Sequence, residues 1–460
     1  MKQSFINLSN ARTPGLVLNR LPLLILSSLI GSAAFADSDE PPALTFFGAE
    51  AGGNESGAIP PWTGGIATPP ASYRPGDWHP DPYAGDQILF TIDHSNVEQY
   101  RDKLSAAHIA LIKKYPDTYR MPIYPTRRSV SYPPLVREKT LQYRGKARVV
   151  DDGAGVEGIV IGTPFPEPEN GEQVMWNMRL SNKGGGYSGY YNTALTASDG
   201  SYELGVSKHE IEYLYSDPRS TPENLNNIET RAIMYTLLPA KSAGTIYLYH
   251  FLLNAKDEER RNWTYNPGKR RTKRASMIAH DQPMGGSDGI HIWDQGDMWL
   301  GPITDFNWTL IGKQEMYVPY NAYTLHSGDT AIDDIIKPRH INQDLARYEL
   351  HRVWVVEATR REGVSHFYQR RRYFIDEDSW RVMVAEHYDE NGDVHRFSEA
   401  HHINYYEAKV FYTTLDTYYK IDTDRYYLRH IDNEYTPFDF TFDQSASYYI
   451  PSRLKMKATR

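Results

Sequence analysis

Gly285-Gly286-Ser287-Asp288-Gly289 fits G-x-S-x-G, the pattern that holds a nucleophilic serine. That chemistry needs a strand before the serine and a helix after it, so that the hydroxyl stands on a strained turn. Here Asp281-Gln282-Pro283 precedes and the strand-like Ile290-His291-Ile292-Trp293 follows, so the stretch reads as a glycine turn. His280, His291, His401 and His402 and the acidic groups Asp333-Asp334 and Asp376 to Asp378 carry ligating atoms. They form no H-E-x-x-H and no histidine pair at helical spacing, so no metal, catalytic or cofactor set is assigned. Asp389-Glu390-Asn391-Gly392-Asp393 lacks the length and terminal glutamate of a calcium loop and reads as a hairpin turn. Asn262-Trp263-Thr264 and Asn307-Trp308-Thr309 fit the glycosylation acceptor pattern, which carries little weight outside a eukaryotic secretory route. The absence of cysteine excludes disulfides, thiolate metal sites and a cysteine nucleophile.

One dense basic run, Lys269 to Arg274, follows the turn Asn266-Pro267-Gly268. It is either a solvated hairpin or a contact surface for lipid phosphates or an acidic partner, with Arg270, Arg271, Lys273 and Arg274 as the contacting heads. In Arg370-Arg371-Arg372, strand alternation puts Arg371 on the face of Tyr373 and Ile375, and Arg370 and Arg372 with Tyr368 and Phe374. The net charge of −8 argues against a nucleic-acid partner.

The elements that would position these groups are mostly strands. Lys2, Arg12 and Arg20, an apolar run from Leu21 and Ala34-Phe35-Ala36 predict an export segment over 1–36, cleaved before Asp37. Export without a modifiable cysteine points to the periplasm, with peripheral membrane contact at most. Residues 37–88, rich in Pro and Gly but studded with Phe46, Phe47, Trp62, Tyr73, Trp78 and Tyr83, form either a disordered tail or an extended arm laid over the domain. Val97 to Tyr115 has helical apolar spacing, with Ser95 and Glu98 as a capping box and His108 on its packed face. Val174 to Leu180 reads as a strand, and Asp329 to Lys337 as a short helix. Four β-rich runs begin at Leu350, His366, Trp380 and Val394, parted by Gly, Asp and Asn clusters. They predict consecutive hairpins with strands of roughly nine residues, and Asn391-Gly392 suits a turn with positive φ at both centres. Both faces of Val353 to Ala358 are apolar, so something, the arm or the Val97 helix, must pack behind the sheet.

Several stretches resemble the bacterial "domain of unknown function 1329" family: Gly48 to Ile66, Lys114 to Ser129, Trp263 to Ala275, Gly312 to Tyr320 and Tyr348 to Thr359. The meander Tyr368 to Arg396 also resembles outer-membrane lipoprotein-sorting proteins of the LolA/LolB type. The resemblance implies a mainly β fold over 89–460, a large curved antiparallel sheet forming a half-open barrel with a few covering helices. It also implies a carrier of a lipid or other hydrophobic molecule working without chemistry, beside inner- and outer-membrane transport proteins. Trp263, Tyr265, Trp354, Tyr368, Tyr373 and Trp380 are then candidate ligand-binding rings. An adaptor between an inner-membrane pump and an outer-membrane channel is the alternative, and a hydrolase or carbohydrate binder a third.

Overall fold

The β-rich runs of the second half fold as successive antiparallel hairpins, Tyr348–Arg360, Arg370–Asp376, Val382–Tyr388 and Val394–Tyr405. The computed structural model describes residues 43–276 and 278–458, so the predicted export segment lies outside the described residues. These strands belong to a seven-strand meander that begins at Phe306–Pro319 and ends with Val410–Lys420 and Arg425–Ile431. A six-strand meander, from Gly186–Thr196 to Arg271–Arg274, joins it edge to edge where Arg425–Ile431 pairs with Gly186–Thr196. With the short Phe90–Ile92 and Met121–Ile123 the sheet has 15 strands and stays open. It is mixed, through one parallel contact between Ile123 and Tyr348. Register shifts at Leu310/Gly312, Phe374/Ile375, His387/Tyr388 and His401/His402 bend it, because an extra residue on one strand raises local twist.

In the loop after Tyr388 only Gly392 takes positive φ, +86°, rather than both central residues. The longer loop explains this: the Asp389 carboxylate accepts from the backbone N–H groups of Asn391 and Asp393 at 2.9 Å and shapes a turn that one left-handed residue can close.

Both faces of the central strands are buried. On one, Val353, Val355, Phe374, Val384 and Phe397 pack with Leu111 and Ile112; on the other, Val356, Ala358, Tyr373, Ile375 and Ala385 pack with Val174, Met175 and Met178. The second cover is a helix, Gly171–Arg179, where the sequence predicts a strand from Val174. Asn170 begins it: its side chain accepts from Gln173 N, with Glu172 in the first turn and Arg179 in the last. Gly171 lets it lie flat, since a Cβ there would stand 2.9 Å from the Trp308 backbone. Replacing Asn170 with Ala is expected to cost about 1 kcal/mol in chemical denaturation, with loss concentrated in helical circular dichroism.

The predicted Val97–Tyr115 helix is two pieces, a 3-10 segment Val97–Lys103 and the α-helix Ala106–Lys114. The break falls at Leu104-Ser105 because Ser105, not Ser95, is the cap, accepting from His108 N, while Ser95 bonds Asp93. The second short helix shrinks to Ile332–Ile335.

Residues 43–88 are laid over the domain. Phe46 and Phe47 pack on Trp62 and Tyr132, and Trp62 Nε1 donates to Val130 O at 3.0 Å. Gly48, at φ +96°, passes so close to Pro166 that a Cβ would lie 1.7 Å from its carbonyl oxygen.

Candidate functional site

Two places in the fold combine shape or charge in ways that packing alone does not require. The first is a cleft of about 710 Å³ between the short hairpin Arg148–Val150/Gly155–Glu157 and the ends of the six-strand meander. Its apolar floor is Val156, Ile159, Leu225, Leu252 and Leu253; its rim carries Asp151, Lys256, Asp257, Glu258 and Arg261. The volume lies in the range of small-molecule sites, which pair apolar linings with a few polar groups. Lys256 closes one side by pairing with Asp151 at 2.6 Å. On the other, Glu258 binds Arg261 at 2.7 Å and also Arg274. Arg274 ends the basic hairpin Arg260–Asn266/Arg271–Arg274, so this hairpin adjoins the cleft mouth. Arg270, Arg271, Lys273 and Arg274 are all exposed there, with Arg270 at the turn in left-handed conformation, φ +48°.

The six candidate rings are not gathered in this cleft, nor into one wall. Trp354 and Trp380 stack at 6.0 Å on the face covered by Gly171–Arg179, with Lys313 over Trp354, and Trp380 Nε1 donates to Phe47 O of the arm. Tyr373 is enclosed by Trp299 and Trp308. Trp263 and Tyr265 lie near the sheet's far edge in a separate small cluster with Tyr449 and Leu454. Tyr368 stacks on His387 and lies against Arg371, not with Arg370 and Arg372 as alternation predicts. The strand starts only at Arg370, so alternation does not extend back to Tyr368. Within the strand it holds: Arg371 is fully buried against Asp294 at 2.7 Å, while Arg370 and Arg372 reach Glu357 outside.

The second place is a buried ionic cluster at the end of strand Arg370–Asp376. Arg128 grips Asp378 with two hydrogen bonds, Nε to Oδ2 at 2.8 Å and Nη2 to Oδ1 at 2.6 Å, and reaches Glu377 at 3.4 Å. Glu377 also receives Lys313 at 2.8 Å and Arg352 at 3.1 Å, and both cations bind Glu50 of the arm. Glu349 pairs with Arg347 at 2.6 Å and with His351 Nε2 at 3.1 Å. Burial first, then the neighbouring Asp378 charge, pushes the Asp376 carboxyl up to about 6 and Glu377 upward as well. Glu349 is driven up by burial but drawn below its ordinary value by His351 and Arg347. Sequence spacing alone hides this cluster, because its members come from five separated stretches.

The other candidates have local roles. Ser287 Oγ donates to Met284 O at 2.7 Å and His291 O at 2.9 Å, between left-handed Gly286 and Gly289, as a glycine turn requires. His108 is fully buried in the packing, with Nε2 2.8 Å from Glu399. His280 pairs with Glu259 at 2.7 Å, His291 Nε2 lies 3.2 Å from Arg429, and His402 Nδ1 donates to Ala400 O at 3.1 Å. His401 is buried with neither ring nitrogen bonded, and burial pushes it down to about 4. Asp333 accepts from the Tyr202 hydroxyl at 2.8 Å. Among the described residues no helix is long and apolar enough to cross a membrane.

The fold is a large open sheet covered on both faces, with the ionic cluster at the end of one of its strands. The chain belongs to the family described as "Protein of unknown function (DUF1329)", whose model matches residues 91–455. It is 37% identical over 443 residues to the uncharacterized protein PA3922 of Pseudomonas aeruginosa, covering 96% of this chain and 97% of that one. Similar solved structures include a DUF1329 family protein from Desulfovibrio piger, with TM-score 0.42, 11% identity, 61% of this chain and 96% of that chain. Another is a putative outer membrane lipoprotein-sorting protein domain from Vibrio parahaemolyticus, with TM-score 0.42, 13% identity, 62% of this chain and 97% of that chain. A LolA superfamily protein from Nitrosomonas europaea matches with TM-score 0.37, 13% identity, 62% of this chain and 99% of that chain.

Proposed function

We propose that the protein is a periplasmic binding or carrier protein for a lipid or other amphiphile, taken up in the cleft beside the basic hairpin. The observation that carries this reading is the cleft itself: an apolar floor from Val156 to Leu253 under a charged rim. An acyl chain on the floor gains roughly 25 cal/mol per Å² of apolar surface buried, while the rim satisfies a polar head. The hairpin supplies the second half, since its Arg274 reaches Glu258 at the mouth and the exposed Arg270, Arg271 and Lys273 further along it favour an anionic bilayer surface or acidic partner. None of the six rings named from sequence lines this cleft; Trp263 and Trp354 are half-buried and the other four buried.

Two measurements test the reading. Organic extraction of protein purified from the periplasm should release lipid detectable by mass spectrometry, and Leu253→Glu should abolish it. A clean wild-type extract with no uptake of an apolar fluorescent probe would favour the adaptor reading. Arg270→Glu with Arg271→Glu should weaken binding to anionic vesicles about tenfold or more, at about 1 kcal/mol per basic residue near the surface; unchanged binding removes the hairpin from the mechanism.

A further inference from the structure

We infer that the buried cluster holds a first-row divalent cation, of which Zn²⁺ is the type, between His351, Asp376 and Asp378. One imidazole nitrogen and one oxygen of each carboxylate lie within 4.8 Å of one another, and all three residues are buried. A zinc ion sits about 2.0–2.2 Å from such donors, which sets tetrahedral donors roughly 3.4 Å apart, so the imidazole and the two carboxylates must draw together by up to about 1.4 Å on loading. Asp376 is fully buried and its Oδ1 has no hydrogen-bond partner, which leaves a lone pair available to a ligand. Its other oxygen is already fixed, accepting from Ser379 N at 2.9 Å, Ser379 Oγ at 2.6 Å and Tyr320 OH at 3.1 Å.

The surroundings have the form of a second coordination shell. His351 Nε2 is held by Glu349, which leaves Nδ1 for the ion and raises its basicity. Tyr320 stacks on the imidazole at 3.7 Å and 13° and fixes its plane. Arg128 occupies one lone pair on each Asp378 oxygen, but a carboxylate offers about four such sites. Charge favours a cation too: Glu50, Glu349, Asp376, Glu377 and Asp378 face four cations, Lys313, Arg128, Arg347 and Arg352. Imidazole beside carboxylates suits Zn²⁺ or Mn²⁺ better than the all-oxygen set that Ca²⁺ takes. The arm segment around Glu50 covers the cluster, so loading should be slow and retention firm.

The test uses untagged mature protein, stripped with chelator, incubated with Zn²⁺ and dialysed. Wild type is expected to retain close to one Zn²⁺ per chain and to melt several degrees higher than the stripped form. Asp376→Asn, which preserves the bonds to Ser379 and Tyr320, should lose both the retained zinc and the melting shift. His351→Gln provides the same reading should the first variant not fold. No retained zinc in wild type, or retention undiminished in a folded variant of either residue, overturns the site.

Discussion

Replacing Arg128 with Met is expected to destabilise the protein by about 3–5 kcal/mol, the range for breaking one side of a buried ion pair. Arg128 is 2% exposed and Asp378 1%, so the carboxylate left behind cannot be rescued by water. Its guanidinium also donates to the carbonyls of Gly52 and Pro60, at 3.3 and 3.4 Å, which makes it a tie between the arm and the strand end. The loss should therefore be polarised: limited proteolysis of the variant should cut first within residues 43–66, ahead of the sheet. Adding Asp378→Asn to Arg128→Met should recover part of the loss, because a neutral amide replaces the stranded charge. Urea denaturation of the four proteins of the cycle measures it. A single variant within about 1 kcal/mol of wild type would mean the pair is solvated and the arm docks by its aromatic residues alone.

The hairpin run from Leu350 was legible because its breaks are strong: Gly363, the Asp376 to Ser379 cluster and Asn391-Gly392 each interrupt a β-rich segment. The double burial of Val353 to Ala358 was legible for a similar reason, as apolar residues on both faces require two covers. What covers it was not. Val174-Met175-Trp176 has a strand's composition, and the short apolar run fits either period; the decisive feature is Asn170 followed by Glu172 and Gln173, a helix start easily missed beside glycine. The ionic cluster lay in plain view residue by residue and was still hidden. Glu50, Arg128, Lys313, Tyr320 and Glu349 to Arg352 fall inside the very stretches that resemble the family, yet only tertiary contact joins them to Asp376, Glu377 and Asp378. Pairing across the sheet brings His351 and Met316 opposite each other and so delivers the loop after Pro319 to the same end, information no local window contains. The cleft is hidden for the same reason: its floor combines Val156 with Leu225 and Leu252, from three separate segments.

Asp416→Asn is expected to stabilise the protein relative to wild type in alkaline solution and to do so less, or not at all, in acid. Asp416 is fully buried, and burial raises its carboxyl from 3.8 to about 7. The hydrogen bond from Thr413 and the nearby charge of Arg429 pull it down and only partly offset that. A carboxyl that holds its proton more tightly folded than unfolded favours folding at low pH, and this advantage fades as pH rises from the unfolded value through the folded one. From about pH 5 to about pH 8 the wild type should therefore lose about 2–3 kcal/mol that the amide variant retains, taking about 1.4 kcal/mol for each of some two units traversed. The amide can occupy the site because its oxygen accepts from Thr413 Oγ1, at 2.7 Å in the parent, while its NH₂ faces His430 Nδ1, also at 2.7 Å. Burial holds His430 neutral, its pKa well below the ordinary value, so it adds no charge change across this window. On its far side Nε2 meets the Tyr191 hydroxyl, and either tautomer leaves one donor and one acceptor there. Asp376 contributes a slope of the same sign, so the comparison must be wild type against variant at each pH rather than the wild-type profile alone. Parallel curves for the two proteins would place the charge of Asp416 in solvent-like surroundings and dissolve the argument; convergence at acid pH with separation at alkaline pH is the signature of a carboxyl that this core keeps protonated.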